Sequence, residues 1–406
     1  MKKKLKLWQQ VIIGMALGIL FGIFGKEYAQ DLKPFGDVFL NMIKMVVVPL
    51  IFFSILNGVT NVSDASTFGR LGARAFLMYI LTTAFAVTIG LTLANIFEPG
   101  IGLTIDLTHP VEHQENKDLK DLFINIIPSN PIRAMSEGKT LQIVVFSFFT
   151  GFALILIGDK GREVKNLVSS CTHLVFKMIQ LVIQLTPYGV FAIMSWVVAD
   201  YGIEVMLHLG KFILVVVGAL FLQYIIFGIM LILFARVNPM PFYKKMLATQ
   251  ALALATSSSK ATLPTAIAEM RKKIGVSKES ASFILPLGAA VNMDATAIYL
   301  GICAVFFAQI FGITLDFNHY IILILTATIG SIGAAGFPGG SMVMMGMVLS
   351  SVGLPLEGIG VILGVDRVLE MIRTMINITG DCTVTLIVDK MEGTFNKEIY
   401  YSDDKE

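Results

Sequence analysis

LATSSSKATLP, residues 254–264, decides how this chain is built. Ser257 and Lys260 stand at S-x-x-K spacing, which sets a serine and a lysine on one helical face, as a serine nucleophile with a lysine partner would need. The flanks give a different reading. Charge-free runs at 246–259 and 261–268 are each too short to cross a hydrocarbon core about 30 Å thick, which takes about 20 apolar helical residues. Lys244 and Lys245 precede them and Arg271, Lys272 and Lys273 follow, so both ends lie on the same, basic side. Two short apolar arms that return to the side they left form a re-entrant hairpin with residues 257–264 at its tip.

The rest of the chain supplies the membrane for that hairpin. Of 406 residues, 55% are hydrophobic and 15% charged, with a mean hydropathy of +0.76, against roughly 25% charged in a soluble domain. Runs free of Asp, Glu, Lys and Arg cover 7–25, 45–63, 75–97, 140–158, 178–199, 212–235 and 295–315, and each predicts a spanning helix. The first follows Lys2, Lys3, Lys4 and Lys6 but exceeds the roughly 7–15 apolar residues of a signal peptide, so it reads as the first transmembrane helix. Arg70 and Arg74, then Lys160, Arg162 and Lys165, then Arg236, Lys244 and Lys245 fall in loops on one side, which predicts cytoplasmic termini. The long loop near 98–139 mixes both signs. A net charge of +2 gives no reason to expect nucleic acid as a partner. Cys171, Cys303 and Cys382 lie in apolar or inner-facing stretches, which argues against a disulfide framework. No transition metal and no organic cofactor is expected.

Three features of the second half predict a site. The run 317–356 is uncharged and too long for one span, and Gly333-Ala334-Ala335-Gly336-Phe337-Pro338-Gly339-Gly340 at its middle breaks it into a second hairpin. Asn292-Met293-Asp294 interrupts an otherwise apolar run from Ser280 to Leu315. Irregular backbone at membrane depth is tolerated where it lines a cavity, and its freed carbonyls suit a hard cation. The last helix carries Asp366, Arg367, Glu370, Arg373 and Asp381 with Asn377 among them. The steps 366, 370, 373/374, 377 and 381 line one helical face, and ionisable groups at that depth are a functional site by default.

LNMIKMVVVPLIFFSI (40–55), MYILTTAFAVTIG (78–90), SSSKATLP (257–264), PLGAAVNMDATA (286–297), GAAGFPGG (333–340) and DRVLEMIRTMINITGD (366–381) together resemble the dicarboxylate/amino acid:cation symporters, the sodium- or proton-coupled glutamate/aspartate transporters. The resemblance covers nearly the whole chain. It implies an all-α polytopic membrane protein with eight transmembrane helices and two re-entrant helical hairpins in inverted repeats. It also implies a homotrimer, an elevator-type movement, and the inner (plasma) membrane of a prokaryote. Scaffold helices 1–2 would occupy 1–70, transport-domain helix 3 would occupy 71–97, and an extracellular loop with scaffold helices 4–5 would fill 98–203. The transport-domain core would fill 204–406, with helix 6, hairpin 1 at about 242–274, broken helix 7 at about 280–315, hairpin 2 at about 320–352, helix 8 at about 356–391 and a cytoplasmic tail.

The resemblance also implies roles. Ser259 and Asn377 would hold the substrate α-carboxylate, Glu370 its ammonium, and Arg373 with Thr296 its side-chain carboxylate. Thr374 would lie beside the pocket, and hairpin residues Ser257, Ser258, Phe337, Pro338 and Gly339 would complete it. One sodium would bind Tyr79, Thr82, Thr83, Asn292 and Asp294, and a second the carbonyls of Gly288, Asn292 and Asn377 with the Asp381 carboxylate. A third would use backbone oxygen near Ala290, Ser331, Ile332 and Ala334, where alanine at 290 and 334 departs from the family's threonines. The elementary chemistry agrees: a planar guanidinium matches a carboxylate, and oxygen-only cages match hard ions.

The implied function is sodium-coupled uptake of L-aspartate or L-glutamate. The alternative is a proton-coupled symporter of these amino acids or of C4-dicarboxylates, and Glu370 argues against the dicarboxylate form. An acyl-transfer enzyme would carry S-D-N and K-T-G as companions to S-x-x-K, and neither occurs, so the chain is not read as an enzyme. Two departures remain. Lys260 replaces a small residue of the family and would supply a charge that positions 257 and 371 lack, while Glu370, where most members carry aspartate, shortens the pocket in favour of aspartate.

Overall fold

The computed structural model describes residues 7–62, 69–103, 127–331, 340–355 and 359–402. Every regular element among the described residues is helical. The first half contains α1 (Leu7–Phe24), α2 (Lys33–Val62), α3 (Gly69–Phe97), α4 (Thr140–Ile157), α5 (Arg162–Gln184), α6 (Thr186–Tyr201) and α7 (Glu204–Met230). The second half contains α8 (Leu247–Thr256), α9 (Ser259–Glu269), α10 (Lys278–Val291), α11 (Asp294–Ile310), α12 (Phe317–Ser331), α13 (Gly340–Ser351), α14 (Ile359–Glu392) and α15 (Lys397–Tyr401). Among the described residues six stretches are long and apolar enough to cross a membrane: 26–57, 69–97, 142–184, 204–235, 278–310 and 362–392. Phe149 and Leu156 stay 74% and 72% exposed on α4, a surface suited to lipid rather than water.

The helices pack in two groups. In one, α1 lies along α6, and α2 packs on α4, α5 and α6. Gly18 and Gly22 let α1 touch its neighbour, because a Cβ there would stand 2.7 Å from the Phe191 carbonyl oxygen and 2.6 Å from that of Ser195. Gly14, Gly18 and Gly22 are a small-residue seam at helical spacing, the device that brings helices close where the solvent is hydrocarbon. In the other group α11 packs on α3, and α14 touches α7, α8, α9, α10 and α11. At 34 residues α14 is about 51 Å long, enough to carry a site at mid-depth and another contact set at its end.

One expected span is corrected. The apolar run 178–199 is not a single helix but bends at Leu185, between α5 and α6. Pro187 is the cause: it sits in the first turn of α6, where a missing N–H costs nothing, but inside a continuous helix it would leave a carbonyl unpaired. Charge-free length alone does not see such a bend.

The first hairpin has the expected arms, α8 and α9. Ser257 joins them with φ +49°, a left-handed conformation uncommon without glycine, and Ser258 caps α9 by accepting from the Ala261 N–H at 3.3 Å. Glu269 at the end of α9 reaches back to the start of α8, accepting from the Thr249 hydroxyl (2.6 Å) and amide (3.2 Å). The base of the hairpin is tied to the tail after α14. Lys245 Nζ faces the carbonyl oxygens of Lys273, Ile399, Tyr400 and Ser402 at 2.9–3.0 Å, four acceptors for its three N–H bonds.

Candidate ion and substrate site

The site is built around the interruption between α10 and α11. Pro286 already weakens α10, and Asn292 (φ −102°, ψ 116°) and Met293 (φ −136°, ψ 55°) leave helical geometry, so that after the Asn292 N–H bonds the Gly288 carbonyl at 2.7 Å the helical ladder stops and the carbonyls that follow in the last turn lack helical partners. Asp294 opens α11, where a carboxylate meets the positive end of the helix. Its Oδ1 accepts from the hydroxyls of Thr83 (2.8 Å) and Thr82 (3.3 Å) on α3. Asn292 gives its Nδ2 hydrogen to Asp381 Oδ1 on α14 (3.0 Å), and its own Oδ1 lies 3.2 Å from the Thr83 hydroxyl. Tyr79, fully buried beside them, donates to the Ile284 carbonyl at 3.1 Å.

Asp294 Oδ2 and Asp381 Oδ2 have no hydrogen-bond partner, and both residues are completely buried. Buried carboxylate oxygens without donors are costly unless something positive meets them. Gly288 makes the approach possible, since a Cβ there would stand 2.6 Å from Asp381 Oδ1 and 2.5 Å from the Tyr79 hydroxyl. Hydroxyls, carbonyls, an amide oxygen and two carboxylates form an oxygen-only donor set of the kind hard monovalent or divalent cations take. Ala290 packs its methyl into the neighbouring apolar cluster and offers only backbone oxygen.

A second cluster lies further along α14. Arg373 and Asp366 form an ion pair at 2.7 Å with both side chains 1% exposed. The guanidinium lies over the Tyr299 ring with Cζ 3.8 Å from its centroid, a cation–π contact, and Nη2 also donates to Ser341 Oγ at 3.2 Å. Glu370 accepts from Arg367 and lines a narrow cleft with Leu7, Val11, Ile183 and Thr186 of the other helix group. The Thr374 hydroxyl bonds the Glu370 carbonyl at 2.8 Å. Asn377 spans the two clusters: its Oδ1 accepts from the Ala295 amide (2.9 Å) and its Nδ2 donates to Thr296 Oγ1 (3.4 Å). Ser257 and Ser259 are buried at the hairpin tip, and α9 packs on α14.

Lys260 points elsewhere, with its ammonium 5.5 Å from the ring centroid of Phe176 on α5. Ser331 ends α12, while Ile332, Ala334, Phe337, Pro338 and Gly339 lie outside the described residues. The sequence did not single out Tyr299 or Ser341. Tyr299 stands one turn beyond Thr296 in an apolar run, and only its contact with Arg373 distinguishes it from core.

A helical membrane protein that buries two carboxylate oxygens without donors beside a buried arginine has the chemistry to meet charged solutes. The chain belongs to the sodium:dicarboxylate symporter family, whose model matches residues 7–391, and it is a transporter rather than an enzyme. It is 36% identical to the proton/sodium-glutamate symport protein of Bacillus subtilis (strain 168), over 97% of this chain and 94% of that one. A protein of the same description from Geobacillus stearothermophilus is 33% identical over 98% and 97%. The C4-dicarboxylate transport protein of Erwinia tasmaniensis is 32% identical over 97% and 94%.

Proposed function

We propose that the protein is a secondary symporter that takes up an acidic amino acid, L-aspartate or L-glutamate, driven by sodium. The observation that carries this reading is the pair of buried, donorless carboxylate oxygens on Asp294 and Asp381, set among the Thr82, Thr83 and Asn292 oxygens. Protons would satisfy them one at a time, whereas the neutral oxygens of Thr82, Thr83 and Asn292 gathered at Asp294, with the Tyr79 hydroxyl near Asp381, favour a metal cation. In this reading Tyr79, Thr82, Thr83, Asn292 and Asp294 serve one sodium, and Gly288, Asn292, Asn377 and Asp381 a second. Ser259, Thr296, Glu370, Arg373 and Asn377 hold the substrate. The group around α3 and α7–α14 acts as the transport domain and the group around α1, α2, α4, α5 and α6 as the scaffold. Assembly as a homotrimer with elevator-type movement, in a prokaryotic plasma membrane with cytoplasmic termini, belongs to the same reading.

One observation favours a second reading, a C4-dicarboxylate substrate. Glu370 already accepts from Arg367, so its charge is balanced without a substrate ammonium. The relatives carry names of both kinds. Uptake of labelled aspartate into proteoliposomes, with a sodium gradient and then with only a proton gradient, tests the coupling. Competition by succinate against glutamate tests the substrate. Uptake that follows the proton gradient without sodium, or succinate that outcompetes both amino acids, overturns the first reading.

A further inference from the structure

The way Arg373 is held says more than that it is buried. A carboxylate grips a guanidinium by two parallel bonds either side-on, with Nε and Nη2, or end-on, with Nη1 and Nη2. Both grips need Nη2. In this structure Nη2 is the nitrogen already taken: Asp366 Oδ1 lies at 2.7 Å and Ser341 Oγ at 3.2 Å, one acceptor for each of its two hydrogens. Nε and Nη1 are buried and have no partner. A substrate carboxylate therefore meets two waiting donors but gains a two-point grip only when Asp366 or Ser341 yields.

The two holders differ in cost. Asp366 is charged, shares α14 with Arg373 two turns away, and is 1% exposed, so releasing it would strand a buried carboxylate. Ser341 is neutral, makes the longer bond, and sits in the first turn of α13, a separate element. A neutral hydroxyl is the cheaper partner to displace.

We propose that Ser341 is a positioning residue for the substrate-free carrier: its hydroxyl stands in for the substrate side-chain carboxylate on Arg373 and ties α13 to α14 until the substrate takes Nη2. This rests on the symporter reading above. A symporter must reorient loaded and must also return empty, and the return leaves its buried cation without a substrate anion. The Ser341 bond serves that half of the cycle and is absent from the loaded half.

The test separates the halves. Net sodium-driven uptake needs the empty return, whereas exchange of external labelled aspartate for internal unlabelled aspartate runs on the loaded carrier alone. Ser341→Ala and Ser341→Gly should lower net uptake about three- to tenfold more than they lower exchange, the worth of one neutral hydrogen bond. Ser341→Thr, which keeps the hydroxyl, should restore the wild-type ratio. Equal losses in uptake and exchange, no change in their ratio, or failure of threonine to rescue overturns the proposal. Wild-type vesicles are run with aspartate, glutamate and succinate, so that a wild type moving none of them defeats the symporter reading itself, while a wild type moving any one leaves the ratio to decide about Ser341.

Discussion

The last third of α14 holds two completely buried aspartates in opposite condition. Asp389, near the end, accepts from the Ser277 hydroxyl (2.6 Å) and amide (3.2 Å) and from the Thr394 hydroxyl, so both of its oxygens are used. Asp381, about two turns earlier, has one oxygen bonded to Asn292 and the other bonded to nothing. Asp294 repeats the second pattern. A carboxylate that only stabilises the fold collects every donor within reach, because an unpaired one costs stability. A carboxylate kept for a ligand is left half-served, and the surrounding packing bears the cost.

Five substitutions break or sharpen that contrast. The largest effect is expected from Arg373→Ala, which leaves Asp366 buried without its ion-pair partner and removes a fully buried guanidinium whose Nε and Nη1 are free to meet a substrate. Truncating one member of a buried charge pair costs about 2–5 kcal/mol, so aspartate uptake should fall more than about thirtyfold, and unchanged uptake would remove Arg373 from the pocket. Asp294→Asn and Asp381→Asn should come next. Each should still reach the membrane and should raise the sodium concentration needed for half-maximal substrate binding by about 5–150-fold, since ion and substrate affinities are reciprocally coupled. Fluorescence titration with sodium reads this directly, and wild-type titrations in both variants would refute the cage.

Asp389→Asn is the control two turns further on. It should lower thermal stability, by about 1.5–3 kcal/mol for charged hydrogen bonds, and leave the sodium titration where it was. A shifted titration there would erase the distinction between the two aspartates. Lys260→Ala should be the smallest, because the ammonium rests against Phe176 on α5, a contact worth about 0.5–1 kcal/mol at an exposed site. Aspartate affinity should change less than about fivefold, and a larger loss would return Lys260 to the pocket as its missing charge.

Much of this was legible in the chain because polarity inside an apolar run has few explanations. The first hairpin, the break at Asn292–Met293 and the polar face of α14 all announce themselves as interruptions of hydrophobicity, and all are found where the interruptions fall. The bend at Leu185 is invisible to charge-free length because Pro187, which causes it, is uncharged and leaves that length unaltered. Gly14, Gly18 and Gly22 carried a readable four-residue period that went unread beside the charge-free length. The partners of Arg373 were beyond reach for a different reason. Ser341 and Tyr299 are 32 and 74 positions away along the chain, and nothing local ties a serine or a tyrosine to a distant guanidinium. The assignment of Glu370 to a substrate ammonium likewise did not anticipate Arg367, three residues before it on the same helix.

Lys245 carries a consequence for the order in which the molecule is made. Its acceptors at Ile399, Tyr400 and Ser402 follow it by 154, 155 and 157 residues. A ribosome adding about 5–20 residues per second delivers them roughly 8–30 seconds after the lysine. During that interval the base of the first hairpin has only the Lys273 carbonyl to hold its ammonium, while five further helices, α10 to α14, are inserted around it. The base of the first hairpin is therefore fully tied down only once residues 399–402 have been made.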